Sequence, residues 1–267
     1  MIWFDGSLRP GPAIDLDAGD RGLLLGDGVF ETIGIFNRRP FALDAHVESL
    51  AAAGAVLGFA VPRDQVLAAV DALLGTMAGD HGALRVTVSR GAGPRGLLPP
   101  AEARPRVLAS LAPWSPAVAF QPVTLATVAL RRNETSPLSR LKTLAYLDPV
   151  LALTEARARG ADDALMLNTR GRVAGSSMAN LFALVGGQLV TPPVTDGVRP
   201  GIMRALAIEE FGAVERSLDP ADLAGAPLFL TNSLRLLLPV TALDGDARPP
   251  LPATYAARFR LRCGLPG

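Results

Sequence analysis

"RLKTLAYLDPVLALTEARARGADDALMLN" (residues 140–168) contains the only lysine of the chain. Of the 26 lysine and arginine residues, all but Lys142 are arginine. The composition is rich in Ala, Gly, Pro and Arg, the bias that GC-rich coding produces, and arginine replaces a surface lysine there at little physical cost. A lysine that persists under this pressure marks a position where arginine cannot serve, or is a chance survivor on a solvated helix face. The chemistry separates the two residues sharply. Guanidinium stays protonated, whereas a primary amine can lose its proton and attack a carbonyl.

Working outward, the periodicity predicts a helix carrying Lys142, preceded by a strand near 123–129 and followed by "DALMLNTRGRVA" (163–174) and "NLFALVGGQLVTPP" (180–193). A helix from about Pro200, a strand "LFLTNS" (228–233) and a helix near 253–262 complete the C-terminal part. Upstream, "GVFETIGIFNRRPFAL" reads as a hairpin turning over Asn37 to Arg39. Asp44 is placed to cap a helix through "AHVESLAAAGAVLGF", and a second helix follows from about Arg63. "ALRVTVSR" (83–90) and "RPRVLASLA" (104–112) alternate as strands. The proline-rich stretch 113–122 has no periodicity and is expected to link an N-terminal domain, 1–112, to a larger one, 123–267. Strands and helices mix without a βαβ rhythm, so the expected class is α+β with two domains.

Bulk properties narrow the function. A net charge of +1 with 19% charged residues, and no basic run, argues against nucleic acid as a partner. Apolar stretches such as "LFALV" are too short to cross a bilayer, and the N-terminus lacks an apolar signal core, so a soluble cytoplasmic protein is expected. One cysteine, Cys263, excludes an internal disulfide, and two histidines, His46 and His81, cannot build a histidine-rich metal site; no metal is expected.

Seven strings, in order, resemble the class IV aminotransferase family: "GDGVFETI" (26–33), "LDAHVESL" (43–50), "VSRGAGPRG" (88–96), the 140–168 stretch, "ANLF" (179–182), "GVRPGIMR" (197–204) and "LFLTNSL" (228–234). The resemblance spans nearly the whole chain. It implies a fold-type IV enzyme that uses pyridoxal 5′-phosphate, works as a homodimer on a small amine or amino acid, and has its active site between the domains. Lys142 is then the residue that holds the cofactor covalently and later moves the substrate proton.

The resemblance assigns the cofactor phosphate to the backbone of Ile202 and Met203, where a helix N-terminus suits an anion, and to Asn232 and Ser233. Arg95 would grip a substrate carboxylate. Phe30 and Thr32 would face the substrate, with Glu31 on the opposite side of the strand, and His46 would have a structural task at a helix start.

Two positions depart from the family pattern. Ser49 stands where the family has an arginine on the phosphate, and Gly175 where it has a glutamate on the pyridine nitrogen. Ser176 or Ser177 is then the hydrogen-bond donor left for that nitrogen. Glycine at 175 weakens the ring as an electron sink. On that ground the expected reaction is of aminodeoxychorismate-lyase type, elimination of pyruvate from 4-amino-4-deoxychorismate to give 4-aminobenzoate. An aminotransferase for D- or branched-chain amino acids or a small amine is the second reading, and a non-catalytic relative with weakened cofactor binding the third.

Overall fold

The computed structural model describes residues 1–265. Two compact units form: Met1–Ser115 together with Leu141–Tyr146, and Pro116–Arg140 together with the chain from Leu147 onward. Each has its own sheet.

The first unit contains β1 (Ile2–Phe4), β2 (Ser7–Arg9), α1 (Arg21–Leu25), β3 (Gly28–Phe36), β4 (Arg39–Pro40), α2 (Leu43–Leu57), α3 (Arg63–Leu74), β5 (Gly82–Ser89) and β6 (Arg106–Pro113). Its strands form one antiparallel sheet in the order β2-β1-β6-β5-β3-β4. Asn37 and Arg38 turn the β3–β4 hairpin with φ of 50° and 60°, the left-handed pair that matches strand twist in a two-residue loop. The alternation along β3 sends Val29, Ile33 and Ile35 into a core shared with Val47 and Leu50 of α2 and Val66, Val70 and Leu73 of α3. The other face of β3 carries Phe30 and Thr32.

Two expectations are corrected here. Asp44 lies inside the first turn of α2, whose N-cap is Ala42 in a left-handed conformation; the carboxylate still favours the positive helix end. More consequentially, Lys142 is not on a helix. β4 pairs only with Ile35 and Phe36, which leaves the Gly28–Phe30 end of β3 with unpaired backbone groups. Residues 142–144 fill that edge as an extended segment: Phe30 N–H donates to the Lys142 carbonyl at 2.8 Å, Leu144 N–H to the Gly28 carbonyl at 3.0 Å, and Val29 bridges Thr143. Satisfying the open edge outweighs the helical preference of "LKTLAY".

The second unit contains β7 (Val123–Arg132), α4 (Leu147–Ala158), β8 (Asp163–Asn168), β9 (Val173–Ser176), β10 (Asn180–Val185), β11 (Gln188–Thr191), α5 (Ile202–Phe211), β12 (Val214–Glu215), β13 (Leu228–Asn232), β14 (Leu236–Leu243), β15 (Asp246–Ala247) and α6 (Ala253–Arg262). The mixed sheet runs β12-β11-β10-β13-β14-β7-β8-β9, with β15 added to β14. Ala152 and Ala156 of α4 pack small side chains against Ala126, Val128, Ala164 and Met166 of β7 and β8. Phe182 stacks on Phe229 with centroids 4.8 Å apart, and Phe211 of α5 meets Phe229 edge-on. Among the described residues no helix is long and apolar enough to cross a membrane, and no group of three or more metal-ligating side chains forms.

Candidate active site

Lys142 sits over an aromatic face. Its Nζ lies 4.7 Å from the centroid of Phe30, whose ring also takes the Arg85 guanidinium at 3.8 Å and the Tyr146 ring edge-on at 5.1 Å. Strand register explains the grouping. Phe30 and Thr32 alternate to the same face of β3, and their partners on β5 are Thr87 and Arg85. The lysine, an aromatic wall, two threonines and a second cation therefore share one surface. Partial burial lowers the Arg85 pKa from its ordinary value, with Tyr146 opposing, and the guanidinium stays charged at any physiological pH.

The opposite face of the same strand holds a different cluster. Glu31 is buried, accepts from the Ser49 hydroxyl at 2.8 Å and lies 3.0 Å from His46 Nδ1. An ionised carboxylate only accepts, so Nδ1 carries the proton in this contact. The Ser49 hydroxyl thus directs its hydrogen at Glu31. His46 supports the start of α2 through this bond, which fits its expected structural task.

Arg90 and Arg95 divide. Arg90 is buried and fully engaged: Nε donates to Asp27 at 2.7 Å, and the guanidinium closes the C-terminal end of α2 through the carbonyls of Leu57 and Gly58. Arg95 is exposed on the loop after β5. Burial alone would raise the Asp27 carboxyl, but hydrogen bonds and charge from Arg90 and Arg21 hold it below the usual carboxylate value.

The second unit contains an uncapped helix start. α5 begins after Gly201 with no side-chain cap, so its first amides remain open, Ile202 and Met203 among them. The approach is tight: a Cβ on Gly201 would sit 2.2 Å from Asn180 Oδ1, while Asn180 Nδ2 holds the Arg199 carbonyl at 2.9 Å. Thr231, paired with Asn180 across the strands, has a buried hydroxyl without a partner among the described residues. Asn232 Oδ1 accepts from the amides of Leu234 and Arg235 and so shapes the turn that carries Ser233.

Gly175 has a φ of +100°. Ser177 hydrogen-bonds through its hydroxyl to the buried Asp163. Ser176 Oγ instead accepts, from Ala179 N–H at 2.9 Å and Met178 N–H at 3.3 Å, which leaves its own hydrogen to donate elsewhere. Cys263 is buried, and burial pushes its thiol up to about 12, which makes it inert.

The sequence pattern of the amino-transferase class IV family matches residues 28–243. The chain belongs to the class IV aminotransferase family. A Methanocaldococcus jannaschii protein bearing the name of a branched-chain-amino-acid aminotransferase is 32% identical over 85% of this chain and 82% of its own length. The structure of 4-amino-4-deoxychorismate lyase from Pseudomonas aeruginosa matches with a TM-score of 0.86 at 33% identity, over 98% of both chains. That of the branched-chain aminotransferase from Thermoproteus uzoniensis with norvaline matches with a TM-score of 0.90 at 27% identity, over 98% of this chain and 94% of the other. The fold is accordingly the α+β, two-sheet fold of type IV, and the family's enzymes use pyridoxal phosphate.

Taken by itself, each unit has a feature that suits part of that cofactor: in the first, a primary amine on an aromatic face suits an aldehyde, and in the second, an uncapped helix start beside an unpartnered buried hydroxyl suits an anion. Arg85 was not singled out in the sequence. Its alternation in "ALRVTVSR" was visible, but the register that sets it against Thr32 and beside Lys142 was not.

Proposed function

We propose that this chain is a pyridoxal-phosphate-dependent aminotransferase acting on a small amino acid, with branched-chain substrates the first class to test. The observation that carries the reading is the placement of Lys142, its backbone carbonyl bound by Phe30 and its amine over the Phe30 ring. The relatives named for branched-chain substrates favour transamination over the elimination expected from Gly175 alone.

Pyridoxal phosphate, when bound, supplies an aldehyde that takes up a primary amine and a conjugated ring that draws off the electron pair of the substrate α-carbon. Lys142 would hold the cofactor through Nζ, and its free amine would take and return the α-proton of the substrate. The amides of Ile202 and Met203 and the turn of Asn232 and Ser233 would bind the phosphate without a cationic side chain. Ser176, whose hydroxyl hydrogen is uncommitted, would donate to the ring nitrogen. Arg95 and Arg85 hold carboxylate groups, and Phe30 with Thr32 forms the wall that excludes water. By the family resemblance the enzyme is a homodimer.

A second reading, the aminodeoxychorismate-lyase reaction, is favoured by the 33% identity to the Pseudomonas aeruginosa lyase and by the absence of a carboxylate at Gly175. Aromatisation of the product helps that elimination, so it tolerates a weaker electron sink.

Purified protein should turn yellow with added pyridoxal phosphate, and borohydride should fix the cofactor to the peptide containing Lys142. L-leucine should then bleach the unreduced form to its amine spectrum. Pyruvate release from 4-amino-4-deoxychorismate, without bleaching by any amino acid, would move the assignment to the lyase. A protein that takes up no cofactor sinks both readings.

A further inference from the structure

Arg21 is an unusual residue to find at 4% exposure beside a loop that is otherwise open to solvent. Its guanidinium uses every edge. Nε donates to Asp27 at 2.8 Å, Nη1 to the carbonyls of Gly96 and Leu98, both at 3.2 Å, and Nη2 to the carbonyl of Leu97 at 2.9 Å. Asp27 pairs with the buried guanidinium and shares the same carboxylate oxygen with Arg90. One side chain thus fixes three successive carbonyls immediately after Arg95.

What the clasp holds in place makes no packing contribution of its own. Leu97 and Leu98 are 82% and 83% exposed, and Arg95 is exposed as well. A loop tip with such side chains ordinarily gains nothing from being ordered, and ordering it costs conformational entropy. Desolvating a guanidinium to do so costs more, and its ion pair and hydrogen bonds offset that cost only in part. The segment "GAGPR" (91–95) that precedes the three carbonyls makes no hydrogen bond after Gly93 among the described residues.

We propose that Arg21 is a positioning residue that sets the pose of Arg95, so that the carboxylate-gripping arginine is preorganised and its loop does not have to be ordered on substrate binding. This rests on the reading of Arg95 as the residue that meets the substrate carboxylate. Asp27 and Arg90 act one step further out: Asp27 holds the Arg21 Nε and is itself tied through Arg90 to the C-terminal end of α2. Lysine cannot do the work of Arg21: it would keep the charge beside Asp27 but lacks the planar fork that reaches three carbonyls.

The test uses Arg21→Lys as the principal variant, because the charge pair with Asp27 is kept, with Arg21→Met as a second and circular dichroism as the check on folding. In the holoenzyme, Arg21→Lys should raise KM for a carboxylate-bearing amino acid by about tenfold or more while kcat stays within about twofold, the split expected when only binding order is lost. Arg95→Ala should raise KM similarly, and Arg21→Lys on top of it should add little. Trypsin should cut after Arg95 at least about tenfold faster in folded Arg21→Lys than in the wild type, because local opening governs cleavage. An unchanged KM, or effects of the two variants that multiply independently, overturns the proposal. If no amino acid reacts at all, the assignment of function has failed separately, and the cleavage rate alone decides: equal rates in wild type and Arg21→Lys overturn the clasp.

Discussion

Position 49 offers the sharpest test of how this chain handles its cofactor, because the family pattern and the structure assign its hydroxyl to different partners. Ser49 donates to Glu31 Oε1 at 2.8 Å, and His46 Nδ1 meets Oε2 at 3.0 Å, with Glu31 and His46 side chains each 1% exposed. Removing a donor from a buried carboxylate leaves the charge short of compensation. His46→Ala breaks the more deeply buried contact and should cost about 3–5 kcal/mol. Ser49→Ala removes a neutral donor from a charged acceptor and should cost about 1.5–3 kcal/mol. At roughly 2–4 °C per kcal/mol for a chain of this size, Tm should fall by about 6–20 °C in the first variant and about 3–12 °C in the second. Calorimetry of the apoprotein measures both. A titration of pyridoxal phosphate, followed by absorbance, should find the affinity of Ser49→Ala unchanged, because its hydrogen is already committed to Glu31. A Ser49→Ala protein that keeps its Tm and loses cofactor affinity would refute this reasoning and return the hydroxyl to the phosphate.

Arg85→Met should raise KM for a substrate carrying a carboxylate by roughly 10–150-fold, the value of one charged hydrogen bond, and should leave borohydride fixation at Lys142 intact; unchanged KM removes Arg85 from the site. Asp27→Asn bears on pH. The folded-state carboxyl of Asp27 is depressed below its ordinary value of 3.8, so the stability it contributes is full above that pH and is lost as pH falls through the lower folded value. The Tm gap between wild type and Asp27→Asn should therefore be constant near neutrality and close only below about pH 4; a gap that closes nearer neutrality contradicts the assignment. Gly175→Glu, which by sequence should strengthen the electron sink, should instead destabilise by about 1–3 kcal/mol, because φ is +100° and the new Cβ would lie 3.1 Å from the Ala179 carbonyl. A urea titration checks it, and a variant of wild-type stability would show that this backbone relaxes freely.

Much of the molecule was legible without coordinates. The family, with the cofactor its enzymes use, and the α+β fold of type IV came from motifs in a fixed order, and strand alternation alone put Phe30 and Thr32 on the face away from Glu31. The lone lysine stood out because an amine, unlike a guanidinium, can lose its proton and attack a carbonyl, and the role proposed for it came with the family resemblance. What the chain could not reveal locally was anything set by pairing between distant segments. The "LKTLAY" stretch has helical character, yet the open edge of β3 draws residues 142–144 into an extended segment. Arg85 reaches Phe30 only through the β3–β5 register, and Ser49 reaches Glu31 only because α2 lies on that strand. The fork of Arg21 spans carbonyls more than seventy residues away. Local sequence determined which residues could do chemistry, because side-chain chemistry is intrinsic to each residue. Tertiary structure decided which partners they have, because hydrogen bonds and ion pairs act over a few ångströms and only the folded chain brings those atoms within reach.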